Sequence, residues 1–386
     1  MRKKLRDLRN PKNYPTRESQ LEALETLKMF FEYETQDTSW IRSGLVRLWD
    51  NPVLDLAIQA EVEAILGVEN RPLWSIQVVG SVQTPDSDHP VGFVFSRGGE
   101  SLFTVGPDEL VNQWETSTGN LIRSFRREKA SWRGAALSPD GQSLAVGGWD
   151  GSIVLIDLIS GKSTLLVGEA DEEDIGEVHF SPKGDYLLTC GLGNSRKETV
   201  KLRDASTGAF IRDYGRDRMA YSASFCPNGK EVLTGNYQRV CMWDTERGHL
   251  LDEWIGGKAE MVGVMMSSNK QFLLAMSAGS ALVWDVPSRK LLYQFPSYDV
   301  ICGLDFSPDS EFVTSRSTRT ALSFWSLRLG KEHRRLDWFS DAVAQVKFSP
   351  SGDTIAVSAW DGTVKLWKRS AILSAEDEPS PSEEDR

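Results

Sequence analysis

The residues able to do acid–base or metal chemistry are few and scattered. Four histidines, His89, His179, His249 and His333, and four cysteines, Cys190, Cys226, Cys241 and Cys302, stand in 386 residues. No histidine lies at ligand spacing from another His, Cys or acid, and no CxxC pair occurs. A zinc centre, which needs closely spaced donors, therefore finds no ligand set. A phosphate loop would need GxxxxGK[ST], a dinucleotide loop a third glycine after Gly191-Leu192-Gly193, and a hydrolase elbow GxSxG; the chain has none of them. His89, Thr104 and Asp108 have the side-chain types of a hydrolytic relay. The expectation from this search is no cofactor, no metal and no nucleotide chemistry.

Composition excludes further classes. No apolar run approaches the roughly 18 to 20 residues needed to cross a bilayer, so no membrane partner is expected. The opening Met1-Arg2-Lys3-Lys4-Leu5-Arg6 has the charge of a signal peptide start, but polar residues follow where its apolar segment should stand. The isolated cysteines read as reduced core thiols, which points to the cytoplasm. A net charge of −11 argues against nucleic acid as a partner through the overall field. The charge is unevenly placed: residues 1–17 carry seven Lys or Arg against one Asp, and the segment from Ala371 carries six acids against Arg386.

The elements that must position any site announce themselves as a repeat. Thirteen tryptophans are present, and Trp114, Trp243, Trp284, Trp325 and Trp367 each close a short apolar run before a polar turn. Ile156 and Arg203 close runs of the same shape. The column 114, 156, 203, 243, 284, 325, 367 has steps of 42, 47, 40, 41, 41 and 42 residues, giving seven repeats. A second column of turns precedes it: SRGG at 96, SPDG at 138, SPKG at 181, CPNG at 226, SSNK at 267, SPDS at 307 and SPSG at 349. Strand, tight Pro/Gly turn, strand is the hairpin signal. The spacing is too short for βαβ crossovers, so each repeat reads as a four-stranded antiparallel meander.

These residues resemble the WD40 family, whose blades carry an SPDG-like turn and end the third strand in Trp-Asp. Trp243-Asp244 and Trp284-Asp285 match best, and the resemblance covers about residues 72–368. It implies an all-β, seven-bladed propeller, a ring that removes the open edges of a single meander. The last repeat lacks its outer strand, and upstream Trp74, Ile76, Val78 and Val82 alternate at period two. A clasp strand over 74–82 in blade seven is the expectation. The resemblance also implies a buried His, Ser/Thr, Asp, Trp network, which His89, Thr104, Asp108 and Trp114 match in the first repeat. Asp150 and Asp361 stand at the same six-residue step before Ile156 and Trp367. Such groups read as structural, not catalytic. Phe125-Arg126-Arg127-Glu128 resembles the FRRG signature of phosphoinositide-binding propellers, but Glu replaces its Gly and the place in the chain differs.

Outside the ring the expected organisation is a basic flexible arm over 1–15, an α-helical extension over 16–70, the propeller over 71–370 and a disordered acidic tail over 371–386. Leu21, Leu24, Leu27 and Phe31 share a helical face, a second helix covers Trp40 to Leu48, and Asn51-Pro52 starts a third with Val62 inward. The extension reads either as a brace on the propeller or as a separate docking module. In WD40 propellers the loops entering each blade and those before the Trp strand build one face. That rule places Trp132, Trp149 and Trp360 there, with the bases Arg196, Lys197, Arg316 and Arg319 in other sectors. Aromatics and charges in separate sectors suit a protein or peptide partner. The reading is a non-catalytic scaffold in a multi-protein assembly, of unassigned oligomeric state. The alternatives are a propeller enzyme or small-ligand binder using the central channel, and a nucleic-acid-associated subunit using the basic arm.

Overall fold

The turn that recurs along the sequence is held by its own side chains. In Ser138-Pro139-Asp140-Gly141, Ser138 Oγ donates to Asp140 Oδ1 at 2.5 Å and accepts the Ser143 N–H at 2.9 Å. The Gln142 N–H binds the same carboxylate oxygen at 3.0 Å. The Ser138 hydroxyl, more than any other group, holds the Asp140 carboxyl below its ordinary range. Ser307 and Asp309 repeat the pattern at 2.5 Å, with the Phe312 N–H on Ser307 at 2.9 Å and the Glu311 N–H on Asp309 at 3.0 Å. The fourth turn residue has positive φ, 73° at Gly141, where glycine avoids the Cβ clash.

In the computed structural model these turns join the strands of a seven-sheet ring. The structure describes residues 92–373 apart from 106–109, 127–131, 149, 168–174, 192–199, 216–219, 278 and 298–303, together with 72, 74–77 and the positions 21, 24, 45, 46, 59 and 62. Blade one runs inner strand Gly92–Phe95, second strand Ser101–Val105, third strand Leu110–Glu115 and outer strand Leu121–Arg126, all antiparallel. Six sheets have four strands. In blade four the second and third strands run on as Glu231–Asp244, bent at Gln238 with φ 63°, so that sheet counts three. Each blade is sandwiched between two others. Its middle strands are buried on both faces and read as unbroken apolar runs, as at Leu144, Ala145 and Val146, all 0% exposed.

Blade seven closes the ring. Its strands Val343–Phe348, Thr354–Ala359 and Thr363–Lys368 are completed by Trp74–Gln77, antiparallel to the third, with Trp74 opposite Leu366 and Ile76 opposite Val364. The remainder of the expected clasp, with Val78 and Val82, lies outside the described residues.

Neighbouring blades are stitched at two radii. On the inner strands the residue four before the turn reaches the next blade. Gln345 accepts the Phe93 N–H at 2.9 Å and donates to Phe93 O at 3.1 Å. Glu177 accepts the Ala223 N–H and the Ser222 hydroxyl, both at 3.2 Å, and Ser222 Oγ accepts the Val264 N–H at 3.3 Å. In blade two the position is Gly134, and the backbones close directly: a Cβ there would stand 3.0 Å from Gly176 O. Asp305 binds across to the Phe348 N–H at 2.9 Å, with Lys347 Nζ at 3.5 Å; burial pushes its carboxyl up and Lys347 draws it back. At the outer radius Tyr214 donates to Thr245 O at 2.9 Å and Tyr293 to Leu327 O at 2.8 Å. Arg123 makes the same connection to Leu158 O.

Four described residues of the stretch expected to be helical meet the ring at blade seven. Leu24, Leu45, Val46 and Val62, each helical and 0% exposed, join one cluster with Trp338, Phe339, Trp367 and Ile372. Ile372 corrects the expected boundary of the acidic tail. Arg369–Ile372 is a short helix, Ile372 is 1% exposed and Leu373 packs beside it, so apolar burial orders the chain three residues past 370. Residues 1–15 and 374–386 lie outside the described residues.

The turn between third and outer strands rests on an aspartate. Asp204 Oδ1 accepts the Ser206 N–H at 3.0 Å, the Ser206 hydroxyl at 2.7 Å, the Thr207 N–H at 2.9 Å and the Thr207 hydroxyl at 2.8 Å. The two hydroxyls are the main reason its carboxyl falls from 3.8 to about 2. A depressed carboxyl stabilises the fold above its unfolded value and loses that contribution as pH falls through the folded one. The melting difference between wild type and Asp204→Ala is therefore expected to be full at pH 5 and to shrink steadily as the pH is lowered from about 4 toward 2. A difference independent of pH in calorimetric scans refutes the charge-based role.

Candidate protein-interaction face

The loops entering blade seven and preceding its third strand form a patch with those of blade six. Trp360 sits in the loop between Thr354–Ala359 and Thr363–Lys368 and is 36% exposed. Its N–H donates to Ala342 O at 2.8 Å, which fixes the loop against the one entering the blade. Asp361 Oδ1 accepts the Thr363 N–H at 3.0 Å and the Thr363 hydroxyl at 2.6 Å, and its Oδ2 accepts the Ser340 hydroxyl. Arg319, on the blade-six loop, pairs with Asp341 at 3.0 Å with its side chain 69% exposed. Its carbonyl takes the Val343 N–H at 3.0 Å. Aromatic, cation and acid thus converge on three mutually bonded loops. Such a surface presents its groups without first having to order them.

The structure separates the other expected site residues. Arg316 is corrected: it lies inside the strand Phe312–Thr318, is 5% exposed, and donates from Nη1 to Val343 O at 2.9 Å. The guanidinium is spent joining blade six to blade seven and presents nothing to a partner. Trp132 opens the strand Trp132–Leu137. Trp149, Arg196 and Lys197 lie outside the described residues. Tyr237, missed from sequence, stands 56% exposed at the bend of blade four, the counterpart of the Trp360 loop. Its signal was the short Tyr-Gln turn, which places one exposed aromatic where longer loops place several residues.

The residues expected to be structural spend their polar atoms within the blades. Trp114 Nε1 donates to Thr104 Oγ1 at 2.8 Å, Trp243 to Thr234 Oγ1 at 2.9 Å and Trp325 to Ser315 Oγ at 2.8 Å. Three repeats share this bond, so Thr104 is a packing partner and not one end of a relay. His89 and Asp108 lie outside the described residues. Asp150 serves its own turn, accepting the Ser152 N–H at 3.0 Å and the Ser152 hydroxyl at 2.6 Å. Trp367 is 0% exposed, its ring 5.6 Å from Phe339. At the Arg203 mark the guanidinium takes the indole's place and donates to Gly208 O at 3.1 Å. Cys226 stands where other turns have serine, and burial pushes its thiol up to about 12, so it is no nucleophile at neutral pH. Among the described residues no three His, Cys, Asp or Glu side chains gather to hold a metal.

Comparison with known proteins adds to this geometry. Residues 119–157 and 330–368 match the family model for the WD domain, G-beta repeat. The chain carries repeats of this kind at those two sites and folds as a seven-bladed β-propeller. Among curated proteins the chain is 23% identical over 292 residues to Autophagy-related protein 16 of Arabidopsis thaliana, across 71% of this chain and 54% of that protein. It is 23% identical over 256 residues to Serine-threonine kinase receptor-associated protein of Gallus gallus, covering 65% and 70% of the two chains. Protein LST8 homolog of Drosophila melanogaster is 24% identical over 279 residues, covering 69% and 75%. The chain spans about half the length of the first of these relatives.

The shared indole bond has a measurable weight. Thr234 also donates to Asn236 Oδ1 at 2.8 Å, so Thr234→Val removes the acceptor of the half-buried Trp243 indole and one partner of buried Asn236. A loss of about 1 to 3 kcal/mol is expected in urea unfolding. A loss below about 0.5 kcal/mol contradicts the structural role of the network.

Proposed function

We propose that this WD40 propeller is a non-catalytic scaffold that seats a protein or peptide partner on the face around Trp360 and Arg319, within a larger assembly. The carrying observation is the exposed Trp360 ring on a loop held by the Trp360–Ala342 and Asp361–Ser340 bonds. Large exposed aromatics on a fixed backbone are the usual anchors of protein interfaces. Trp132, Trp149, Arg196 and Lys197 fall on the same face by the repeat rule and extend the surface; Tyr237 adds a further aromatic at blade four. The relatives support this class, since the name of one describes a receptor-associated protein. No nucleophile or metal set among the described residues calls for an enzyme. The buried thiols of Cys190, Cys226 and Cys241, none of them in a disulfide, fit a reducing compartment, and we place the protein in the cytoplasm. No described helix is long and apolar enough to cross a membrane.

Trp360→Ala separates this reading from mere packing. It is expected to leave thermal melting close to wild type and to weaken partner binding by about 2 kcal/mol, roughly thirtyfold. Trp284, 2% exposed in the blade-five core, is the control, and its truncation costs about 3 to 5 kcal/mol of stability. Affinity capture with the three proteins, followed by titration of what the wild type retains, decides. If Trp360→Ala melts as early as Trp284→Ala, or retains the same proteins as tightly as wild type, the face is wrong.

A further inference from the structure

The seam between blades one and two holds a cleft of about 370 Å³, at the small end of the roughly 300 to 1,000 Å³ typical of ligand sites. Val111, Phe125, Val154 and Ile156 line it, with Arg123 and Ser163 at its edges. We propose that this cleft receives an aromatic side chain of a partner peptide in which a carboxylate residue stands beside the aromatic one. This is a second surface, on the flank of the ring, and it does not depend on the face around Trp360.

The molecule itself shows what fits such a seam. Between blades five and six Tyr293 lies in the corresponding place. Its ring stacks 5.4 Å from Phe295, would stand 2.6 Å from a Cβ on Gly330, and donates its hydroxyl to Leu327 O. Between blades three and four Arg212 holds that place, 2.8 Å from where a Cβ on Gly248 would be, and the ring comes two residues on from Tyr214, at the position of Phe295 and Phe125, with its hydroxyl on Thr245 O. Blade one has Arg123 at the position of Tyr293. The guanidinium reaches the matching carbonyl, Leu158 O, and binds Gln113 Oε1 at 2.7 Å, standing 4.8 Å over the Phe125 ring. It satisfies the hydrogen bond without supplying a ring. Gly161, the counterpart of Gly330, meets only Phe125, 3.6 Å from where its Cβ would be. Compared with the seam of blades five and six, this one keeps the inner ring, Phe125, but lacks the second ring that Tyr293 supplies there, and the cleft stands in its place.

Charge completes the match. Nη1 of Arg123 makes no hydrogen bond among the described residues. The acid of the adjoining turn, Asp157, is already committed: its Oδ1 accepts the Ile159 N–H at 3.0 Å, the Ser160 N–H at 2.6 Å and the Ser160 hydroxyl at 2.9 Å. A cation half-buried at the edge of an apolar cleft pairs with a carboxylate brought by the occupant. Ile159, 73% exposed, adds apolar surface to the lining. The outer strand Leu121–Arg126 leaves one edge for an extended chain to follow.

The test uses the full chain and the probe peptide acetyl-Gly-Phe-Glu-Gly-amide with para-fluorophenylalanine, titrated by fluorine NMR. Saturable binding is expected, weakened about tenfold in calorimetric titration when Ala replaces the aromatic residue and several-fold when Gln replaces Glu. Arg123→Gln should erase the preference for Glu over Gln while keeping that for the aromatic. Ser163→Trp, which sets a ring in the cleft from within, should abolish binding at near-normal melting; if it unfolds, Ser124→Trp closes the opposite wall and decides. Trp360→Ala should leave probe binding unchanged. Several outcomes overturn the proposal. They are no saturation at millimolar probe, equal binding of the Ala peptide, or binding that survives the filled cleft. Tighter probe binding by a 1–373 chain would give the cleft to the chain's own acidic segment, and self-association abolished by Ser163→Trp would give it to a second copy; either also overturns it.

Discussion

Every blade depends on the ring being shut. A four-stranded meander has two apolar faces and cannot cover both, so each sheet is stable only between two neighbours, and an open ring would expose the faces of its first and last blades. The pairing of Trp74–Gln77 with Thr363–Lys368 prevents this by making the last blade from both ends of the repeat region. Gln345 completes the join from within, reading the Phe93 backbone as a strand would. Closure is thus a long-range contact, and its loop-closure cost is met once for the whole array.

Once closed, the ring is rigid because adjacent blades are tied at two distances from the axis. Apolar packing alone would let sheets slide, since dispersion is indifferent to small shifts. Directional bonds are not. Glu177, Ser222, Asp305 and Gln345 fix the inner strands, and Tyr214, Tyr293 and Arg123 fix the outer ones. Loops mounted on such a frame hold their side chains in place, and this is what makes a single exposed indole such as Trp360 usable for recognition.

The repeat was legible because turns leave local chemistry. Ser, Pro, Asp and Gly each do a defined job within four residues, and the indole mark ends a strand. Even so, Lys270 and Ser310 occupy the left-handed turn position at φ 61° and 62°. The pattern survives substitution because the surrounding serine bonds persist: Phe272 N–H on Ser267 Oγ at 2.9 Å is the same contact as in the glycine turns. The inner stitch was not legible. Its column holds Gly134, Glu177, Ser222 and Gln345, which share no chemistry: three accept an N–H of the next blade, and Gly134 only lets the two backbones approach. Arg316 was misread for a related reason. A loop position was inferred from spacing, but the strand of blade six runs on through Thr318 and turns the guanidinium inward. The contact between Leu24, Val62 and Ile372 joins segments more than 300 residues apart, and no local pattern encodes it.

The antiparallel clasp also fixes how the ring answers force. The N-terminal end of its strand, Trp74, lies opposite Leu366, near the C-terminal end of the partner strand. Segments leading away from these two ends leave from the same side of the sheet. Tension between them acts across the ladder, so the hydrogen bonds are loaded one after another and peel apart, as in unzipping. A parallel clasp would place all of them in shear together and resist far more. A propeller tethered through both flanking segments thus yields first at the clasp ladder inside blade seven.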